Sequence, residues 1–197
     1  EYTPTIVGAA DELMPRILQG EVDIAAVPAN LAATLYQKTQ GGVTMLAVNV
    51  LGVLYVGELG GETVQTVADL KGKTLLATGK GATPEYFLRY ILTQNGLDPD
   101  KDVAIQWKSE PSEVVALLNA KGEGLAMLPQ PYVTAAANQL GENFRIALSV
   151  SEEWEKLESD SRCTTAVVIA RTAFVQEHPE QVQAFLEALS QSVQWVN

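Results

Sequence analysis

Few residues of this sequence could perform covalent or acid–base chemistry. The chain of 197 residues contains one cysteine, Cys163, and one histidine, His178. A cysteine nucleophile needs a neighbouring base, and the sequence places no histidine to activate Cys163, which stands near the start of a predicted strand. His178 precedes Pro179 and a predicted helix, which is typical of a solvated residue. We therefore predict no disulfide, no metal site, no cofactor and no catalytic residue.

One loop, Thr78–Glu85, has the composition of a ligand-binding turn at the carboxyl end of a predicted strand. Its two glycines allow close backbone approach, Thr83 suits the N-cap of a helix, and Pro84 suits the first helical position. It is not a phosphate-binding loop of the Walker A type, because Lys80 is followed by glycine. We predict that a polar or anionic ligand group meets the backbone N–H groups of this loop, although plain helix capping remains an alternative. The predicted contacts are Thr78, Gly79, Gly81, Ala82 and Thr83.

Two further strand ends, Val27–Asn30 and Leu128–Tyr132, each combine a proline, a side-chain amide and a following helix of small residues. Ligands of open α/β sheets lie outside such strand ends. The alternatives are that Pro28 and Pro129 only shape turns and that Asn30 only caps a helix. A fourth loop, Gly8–Asp11, has small side chains that leave room for a ligand. These loops supply the remaining predicted contacts, which are Ala9, Ala10, Pro28, Ala29, Asn30, Gln130, Pro131 and Tyr132.

An internal repeat predicts the elements that position these loops. Residues 13–33 predict a helix, the strand Gly20–Pro28 and a small-residue helix, and residues 114–137 repeat this order around Gly122–Pro129. Alternating strands and helices predict an α/β fold in which each lobe is a helix-covered, mostly parallel sheet. The second copy has an additional strand and helix, Lys73–Asn95. A complete repeat would therefore place a strand and helix of roughly 30–50 residues before residue 1.

The segments that join the two lobes set the predicted domain boundaries. The stretch Thr44–Leu59 predicts a continuous buried strand that leaves the first lobe, and the acidic stretch Glu152–Asp160 predicts a solvated return segment. Residues 1–54 and 158–197 then form lobe I, with a strand at its start, and residues 55–157 form lobe II. The terminal stretch Glu180–Val196 predicts a helix with one apolar face in the core.

Composition excludes several classes of protein. The net charge is −11 and the isoelectric point about 4.5, so a nucleic acid would meet a repulsive surface. Hydrophobic residues make up 47% and charged residues 19% of the chain, which predicts a folded domain and not a disordered one. The longest apolar stretch, Met45–Val56, is shorter than the roughly 20 residues that a membrane span needs.

Three segments, Val67–Arg89, Gly20–Pro28 and Leu128–Tyr132, resemble the solute-binding proteins of ABC importers, in the nitrate/sulfonate/taurine and thiamine-precursor group. The resemblance implies a two-lobed type 2 periplasmic-binding fold with two hinge crossovers, ligand in the cleft and closure by hinge bending. It also implies a monomer in the periplasm, or a lipoprotein at the cell surface, that serves a permease and its ATPase. The predicted loops hold no arginine, which argues against a sulfonate or nitrate ligand. Two alternatives share this fold: an enzyme of thiamine-pyrimidine or menaquinone synthesis, and the ligand-sensing domain of a regulator.

Overall fold

The computed structural model describes residues 3–7, 12–158 and 160–196. The chain folds into two compact units, Glu1–Val50 with Ala166–Asn197 and Leu51–Thr165. The predicted lobes are residues 1–54 with 158–197 and residues 55–157. This division, and the movement of the two lobes as separate bodies, stays a prediction. In chain order the elements are α1 Leu13–Leu18, β1 Ile24–Pro28, α2 Ala29–Lys38, β2 Val43–Leu51, β3 Leu54–Leu59, β4 Thr74–Thr78, α3 Thr83–Gln94, β5 Ala104–Lys108, α4 Pro111–Lys121, β6 Gly124–Pro129, α5 Tyr132–Leu140, β7 Phe144–Ser149, α6 Val150–Leu157, β8 Thr164–Arg171, α7 Thr172–Glu177 and α8 Pro179–Val196.

The first unit is built on a sheet of strand order β1-β8-β2, as far as the described residues go. β1 and β8 are antiparallel, with Ile24 opposite Ala170 and Pro28 opposite Ala166. The expected mostly parallel arrangement does not hold for this pair, because β8 re-enters the unit from the second one and runs against β1. The main apolar cluster of this unit joins the sheet to α1 and α2, and its buried residues are Ile17, Ala25, Val27, Leu31, Leu35, Val43, Val167 and Ile169.

The second unit holds a sheet of order β5-β4-β6-β3-β7 within the described part of the chain. β4 pairs in parallel with both β5 and β6, whereas β3 is antiparallel to β6 and β7. All of these strands except β3 therefore run in one direction. This agrees with the predicted α/β fold, in which crossover helices return the chain to the same edge of the sheet.

Both faces of this second sheet are covered, which explains the unbroken apolar runs of β4 and β6. Alternate residues of a strand point to opposite faces. Leu75 and Ala77 of β4 belong to one buried cluster, with α3 and α6, whereas Leu76 belongs to the other, with α4 and α5. A strand that is buried on both faces reads as a continuous hydrophobic segment, as the Leu-Leu-Ala sequence of β4 does.

The predicted continuous strand Thr44–Leu59 is wrong in two respects. It is two strands, β2 and β3, because Gly52 turns the chain with a φ of 42° and its N–H donates to the Cys163 carbonyl at 2.8 Å. β2 is also largely open to solvent, with Met45 at 62% and Leu51 at 54% exposure. The expectation of burial fails here because β2 lies at an edge of its sheet.

Other expectations at the ends of elements also need correction. The strand predicted over Glu1–Gly8 is wrong where the structure describes it, since residues 3–7 form neither helix nor strand and Ile6 is 97% exposed. The segment predicted as a solvated return instead contains α6, which packs Trp154 onto the core and against Phe87 of α3 with ring centroids 5.0 Å apart. α8 forms as predicted, but of its predicted core face only Val182 is buried. None of the helices in the described residues is both long enough and apolar enough to cross a lipid bilayer.

Candidate functional site

The carboxyl ends of β4, β5, β6 and β7 lie on the same side of the second unit's sheet, which is called its carboxyl edge or simply this edge below, and β3 begins there. Register places Thr78 of β4 beside Lys108 of β5, and Leu54, the first residue of β3, opposite Pro129 of β6. The Gln130 N–H continues this pairing past the strand by donating to the Val53 carbonyl at 2.8 Å. The edge therefore brings the Thr78–Glu85 loop next to the loop that contains Gln130, Pro131 and Tyr132.

Four helices of the second unit begin at this same edge. The first turn of a helix has N–H groups without partners inside the helix and a partial positive charge, both of which favour polar or anionic groups. Each helix follows its strand after a short connection or none. The strand ends and helix starts are Thr78 and Thr83, Lys108 and Pro111, Pro129 and Tyr132, and Ser149 and Val150.

The glycines of the Thr78–Glu85 loop are required by its backbone. Gly79 and Gly81 have φ values of 84° and 77°, in the left-handed region that side chains disfavour. A Cβ atom on Gly79 would lie 2.7 Å from Pro84 Cγ, whereas a Cβ on Gly81 would meet no atom within 4 Å. The loop thus turns tightly around Pro84 and leaves open space beside Gly81.

The predicted N-cap at Thr83 is wrong by one position. Ala82 is the N-cap residue, Thr83 is the first residue of α3, and Pro84 is the second. Thr83 is 4% exposed and Thr78 is 8% exposed, so both side chains are buried at this edge. The shift occurs because the extended residue before the helix is Ala82, with a φ of −122°.

A carboxylate that the sequence analysis did not select lies within this loop. The Gly81 N–H donates a hydrogen bond to Glu85 Oε2 at 2.7 Å, a length typical of a charge-assisted bond. Glu85 stands three residues after Ala82, the spacing at which an acidic residue commonly reaches back to the start of a helix. That spacing is the sequence signal by which Glu85 could have been found.

The second predicted loop of this unit is more exposed. Gln130, Pro131 and Tyr132 are all open to solvent, Tyr132 to 39%, and the Gln130–Pro131 peptide bond is cis. Gln130 Oε1 accepts a hydrogen bond from the Thr134 hydroxyl at 2.9 Å, which holds the amide against α5. The side-chain amide of this loop is therefore oriented but accessible.

The predicted contacts of the first unit lie at the start of α2. Pro28 ends β1 and is the N-cap residue of α2, so Ala29 and Asn30 form the first turn of the helix. Asn30 is thus not the cap that the alternative interpretation required. Ala9, Ala10 and the rest of the Gly8–Asp11 loop lie outside the described residues.

Cys163 and His178 have surroundings that do not suit catalysis. Cys163 is 3% exposed, and burial raises the pKa of its thiol to about 11 despite a hydrogen bond with Ser151. The thiol is therefore protonated at neutral pH and unreactive. His178 directly precedes α8 as predicted, and its ring lies 5.0 Å from that of Phe174. Within the described residues no three His, Cys, Asp or Glu side chains group as a metal site requires.

Comparison with known proteins agrees with this architecture. A model of the NMT1-like family matches residues 7–197. The periplasmic aliphatic sulphonate binding protein SsuA from Escherichia coli is 18% identical with a TM-score of 0.73, over 93% of this chain and 59% of that one. An ABC transporter structure from Parabacteroides distasonis is 23% identical with a TM-score of 0.74, over 96% of this chain and 61% of that one.

The alkanesulfonate-binding protein SsuA from Xanthomonas axonopodis pv. citri, bound to MOPS, is 19% identical with a TM-score of 0.63, over 93% of this chain and 59% of that one. The chain therefore spans less than two thirds of the length of these structures. Among curated protein sequences, none matches it. The likeness to solved structures shows the type 2 periplasmic-binding fold, and the match over residues 7–197 shows that the chain belongs to the NMT1-like family.

Proposed function

We propose that this chain is the extracytoplasmic solute-binding component of an ABC importer. It captures a small polar or anionic organic solute and delivers that solute to a membrane permease with its ATPase. It acts as a monomer, in the periplasm or as a lipoprotein at the cell surface. Membership of the NMT1-like family and a fold shared with periplasmic sulfonate-binding proteins support this proposal.

The observation that carries the proposal is the construction of one edge of the second unit. Four helix N-termini, two left-handed glycines and exposed polar side chains gather there. Neither Cys163 nor His178 belongs to these loops, so the edge offers polar recognition without a nucleophile or an imidazole base. Such a surface suits reversible binding better than turnover.

We propose the following ligand contacts, each unit being taken by itself. In the second unit they are the buried hydroxyls and glycine backbone of the loop after β4 and the accessible amide and phenol after β6. In the first unit they are the opening turn of α2 and the predicted loop Gly8–Asp11, which lies outside the described residues. The proposed residues are Ala9, Ala10, Pro28, Ala29, Asn30, Thr78, Gly79, Gly81, Ala82, Thr83, Gln130, Pro131 and Tyr132.

A matched pair of glycine variants tests this assignment. Gly81 and Gly72 have nearly the same φ, 77° and 76°, and a Cβ on either meets no atom within 4 Å. Gly72 lies before the start of β4, at the opposite edge from Gly81. Gly81→Val and Gly72→Val should therefore lose similar stability, about 1–2 kcal/mol from left-handed strain. Only Gly81→Val should lose ligand affinity, because its side chain fills the space beside the loop.

The measurement begins with a thermal-shift screen of small organic solutes and continues with calorimetry of the best one. A bound solute should stabilise the protein by about 2.7 kcal/mol at a hundredfold excess over its dissociation constant. Thr83→Ala should weaken binding roughly tenfold, or about 1.4 kcal/mol. Equal affinities of Gly81→Val and Gly72→Val would place the ligand elsewhere. Chemical conversion of the bound solute, abolished by His178→Ala, would support the enzyme alternative instead.

A further inference from the structure

The Glu85 carboxylate already accepts the hydrogen bond of the Gly81 N–H, a donor that the proposed site would otherwise offer to an anion. Its Oε2 atom lies 2.7 Å from the nitrogen of Gly81, the loop glycine on which a Cβ atom would meet no other atom within 4 Å. An anionic ligand group that approaches Gly81 therefore meets a carboxylate already bound to the amide. The ligand must either displace Glu85 or carry no negative charge.

The other charges at this edge do not compensate that carboxylate. Lys108 is the lysine at the end of β5, and its Nζ atom is 3.7 Å from Glu113 Oε1 on the first turn of α4. Across the four helix starts, residues 78–85, 108–113, 129–132 and 149–153, two lysines stand against five glutamates, which leaves a net charge of −3. The edge is thus repulsive to anions even though four helices begin there.

Exposed aromatic rings are a second feature of this edge. Tyr86, next to Glu85 on the first turn of α3, is 56% exposed, and Tyr132 at the start of α5 is 39% exposed. Aromatic faces attract cations and stack on planar groups. Both features favour a planar organic group that is uncharged or positively charged.

We infer that Glu85 is a specificity-determining residue of the proposed site, one that selects uncharged or cationic organic solutes against anionic ones. The inference rests on the proposed function and narrows it, since it restricts the polar or anionic solutes proposed for that site to uncharged or cationic ones. Glu85→Gln is the decisive variant, because the amide oxygen of glutamine can still accept the Gly81 N–H while the negative charge is removed. The loop therefore keeps its conformation and only its electrostatics change.

The test uses probes that share one shape and differ in charge: benzoate, benzamide and benzamidinium, with ethanesulfonate as an aliphatic anion. Calorimetry on the full-length protein gives the affinity of each probe. The wild type should bind benzamide or benzamidinium at least tenfold more tightly than benzoate. Glu85→Gln should reduce that ratio at least tenfold. Glu142→Gln is the matched control, since it removes the same charge in the Gly141–Asn143 turn before β7, at the opposite edge, and should leave the ratio unchanged.

The outcomes separate this inference from the proposed function. If the wild type binds benzoate or ethanesulfonate at least as tightly as the other probes, solute binding stands and the selectivity assigned to Glu85 is wrong. If Glu85→Gln and Glu142→Gln alter the ratio equally, the effect comes from net charge and the inference also fails. If none of the probes binds, the inference is overturned, whereas a hit from the wider thermal-shift screen still upholds the proposed function.

Discussion

Among the described residues, Glu58 is the most deeply buried carboxylate. The residue lies on β3 and is 3% exposed. Its carboxylate accepts hydrogen bonds from the Thr63 N–H at 2.9 Å, the Val64 N–H at 3.2 Å and Arg145 Nη2 at 2.6 Å. Arg145 also donates to the Gly61 carbonyl, so the pair holds the loop after β3 in place.

Removing the charge of Glu58 should cost much of the stability of the second unit. Breaking one partner of a buried ion pair typically costs 3–5 kcal/mol, because the remaining charge loses its compensation. The Arg145 side chain is 26% exposed, and water partly solvates it, so the lower limit applies. Glu58→Gln should therefore lose about 3 kcal/mol, which corresponds to a Tm lower by about 6–12 °C for a chain of this size.

Thermal and urea unfolding measures this effect in four variants, which are Glu58→Gln, Arg145→Met, their double variant and the control Asp100→Asn. Glu58→Gln with Arg145→Met should lose less than the sum of the two single variants, because the double variant leaves no unpaired charge. Asp100→Asn is the control, since it breaks the more exposed Arg89–Asp100 pair at 2.7 Å and should lower Tm far less. A Tm of Glu58→Gln equal to that of Asp100→Asn would refute the reasoning.

The pH dependence of stability gives an independent reading of the same network. Burial alone would raise the pKa of Glu58, but hydrogen bonds from Thr63, Arg145 and Val64 outweigh it and hold the pKa below its ordinary value of 4.5. A carboxyl group with a lowered folded-state pKa stabilises the fold above its unfolded-state pKa. The wild type should therefore lose this contribution as the pH falls below about 4.5. The free energy of unfolding of Glu58→Gln should depend less steeply on pH in this acidic range.

Two further predictions concern the core of the second unit. Gly57→Ala should destabilise the protein by about 1–3 kcal/mol in urea unfolding, because the new Cβ would lie 2.2 Å from Phe144 Cζ; an unchanged midpoint would mean that the ring moves freely. Cys163, whose thiol pKa is raised to about 11 by burial, should react with a thiol reagent at pH 8 only after unfolding in urea. Stoichiometric labelling of the folded protein within seconds would contradict this.

The central elements of the second unit could be predicted because their signals are local. β4 is an apolar run buried on both faces, and Pro111 and Gly122 mark the two ends of α4, the latter with a φ of 72°. The repeat between the two halves also predicted that α5 begins at Tyr132, as observed, and that α2 begins at Asn30, one residue after its observed start at Ala29. Each of these features depends on residues that are near in sequence, so the pattern alone suffices.

The failures come from features that depend on the rest of the fold. The apolar residues of β2 predicted burial, but burial depends on the neighbours of an edge strand, which the pattern does not specify. The sequence analysis did not predict α6, because it interpreted the acidic residues of this segment as solvated and gave no weight to the helical spacing of Val150, Trp154 and Leu157. In the candidate site, the glycines were predicted from their type, whereas the bond between Glu85 and Gly81 depends on the exact path of the loop.

Carboxylates at the two edges of the second sheet have different surroundings. At the edge where β3 ends, Thr63 and Arg145 both donate hydrogen bonds to the buried Glu58 carboxylate, and Lys73 Nζ donates to the Thr63 hydroxyl at 2.9 Å. At the opposite edge, Glu85 makes a bond of similar length in an exposed loop that glycine keeps open. A buried carboxylate that accepts several hydrogen bonds is costly to move, whereas a more exposed carboxylate can give up its one hydrogen bond to water at little cost. A carboxylate can therefore stabilise the fold at one edge of the sheet, and in the proposed site a carboxylate at the other edge selects ligands by their charge.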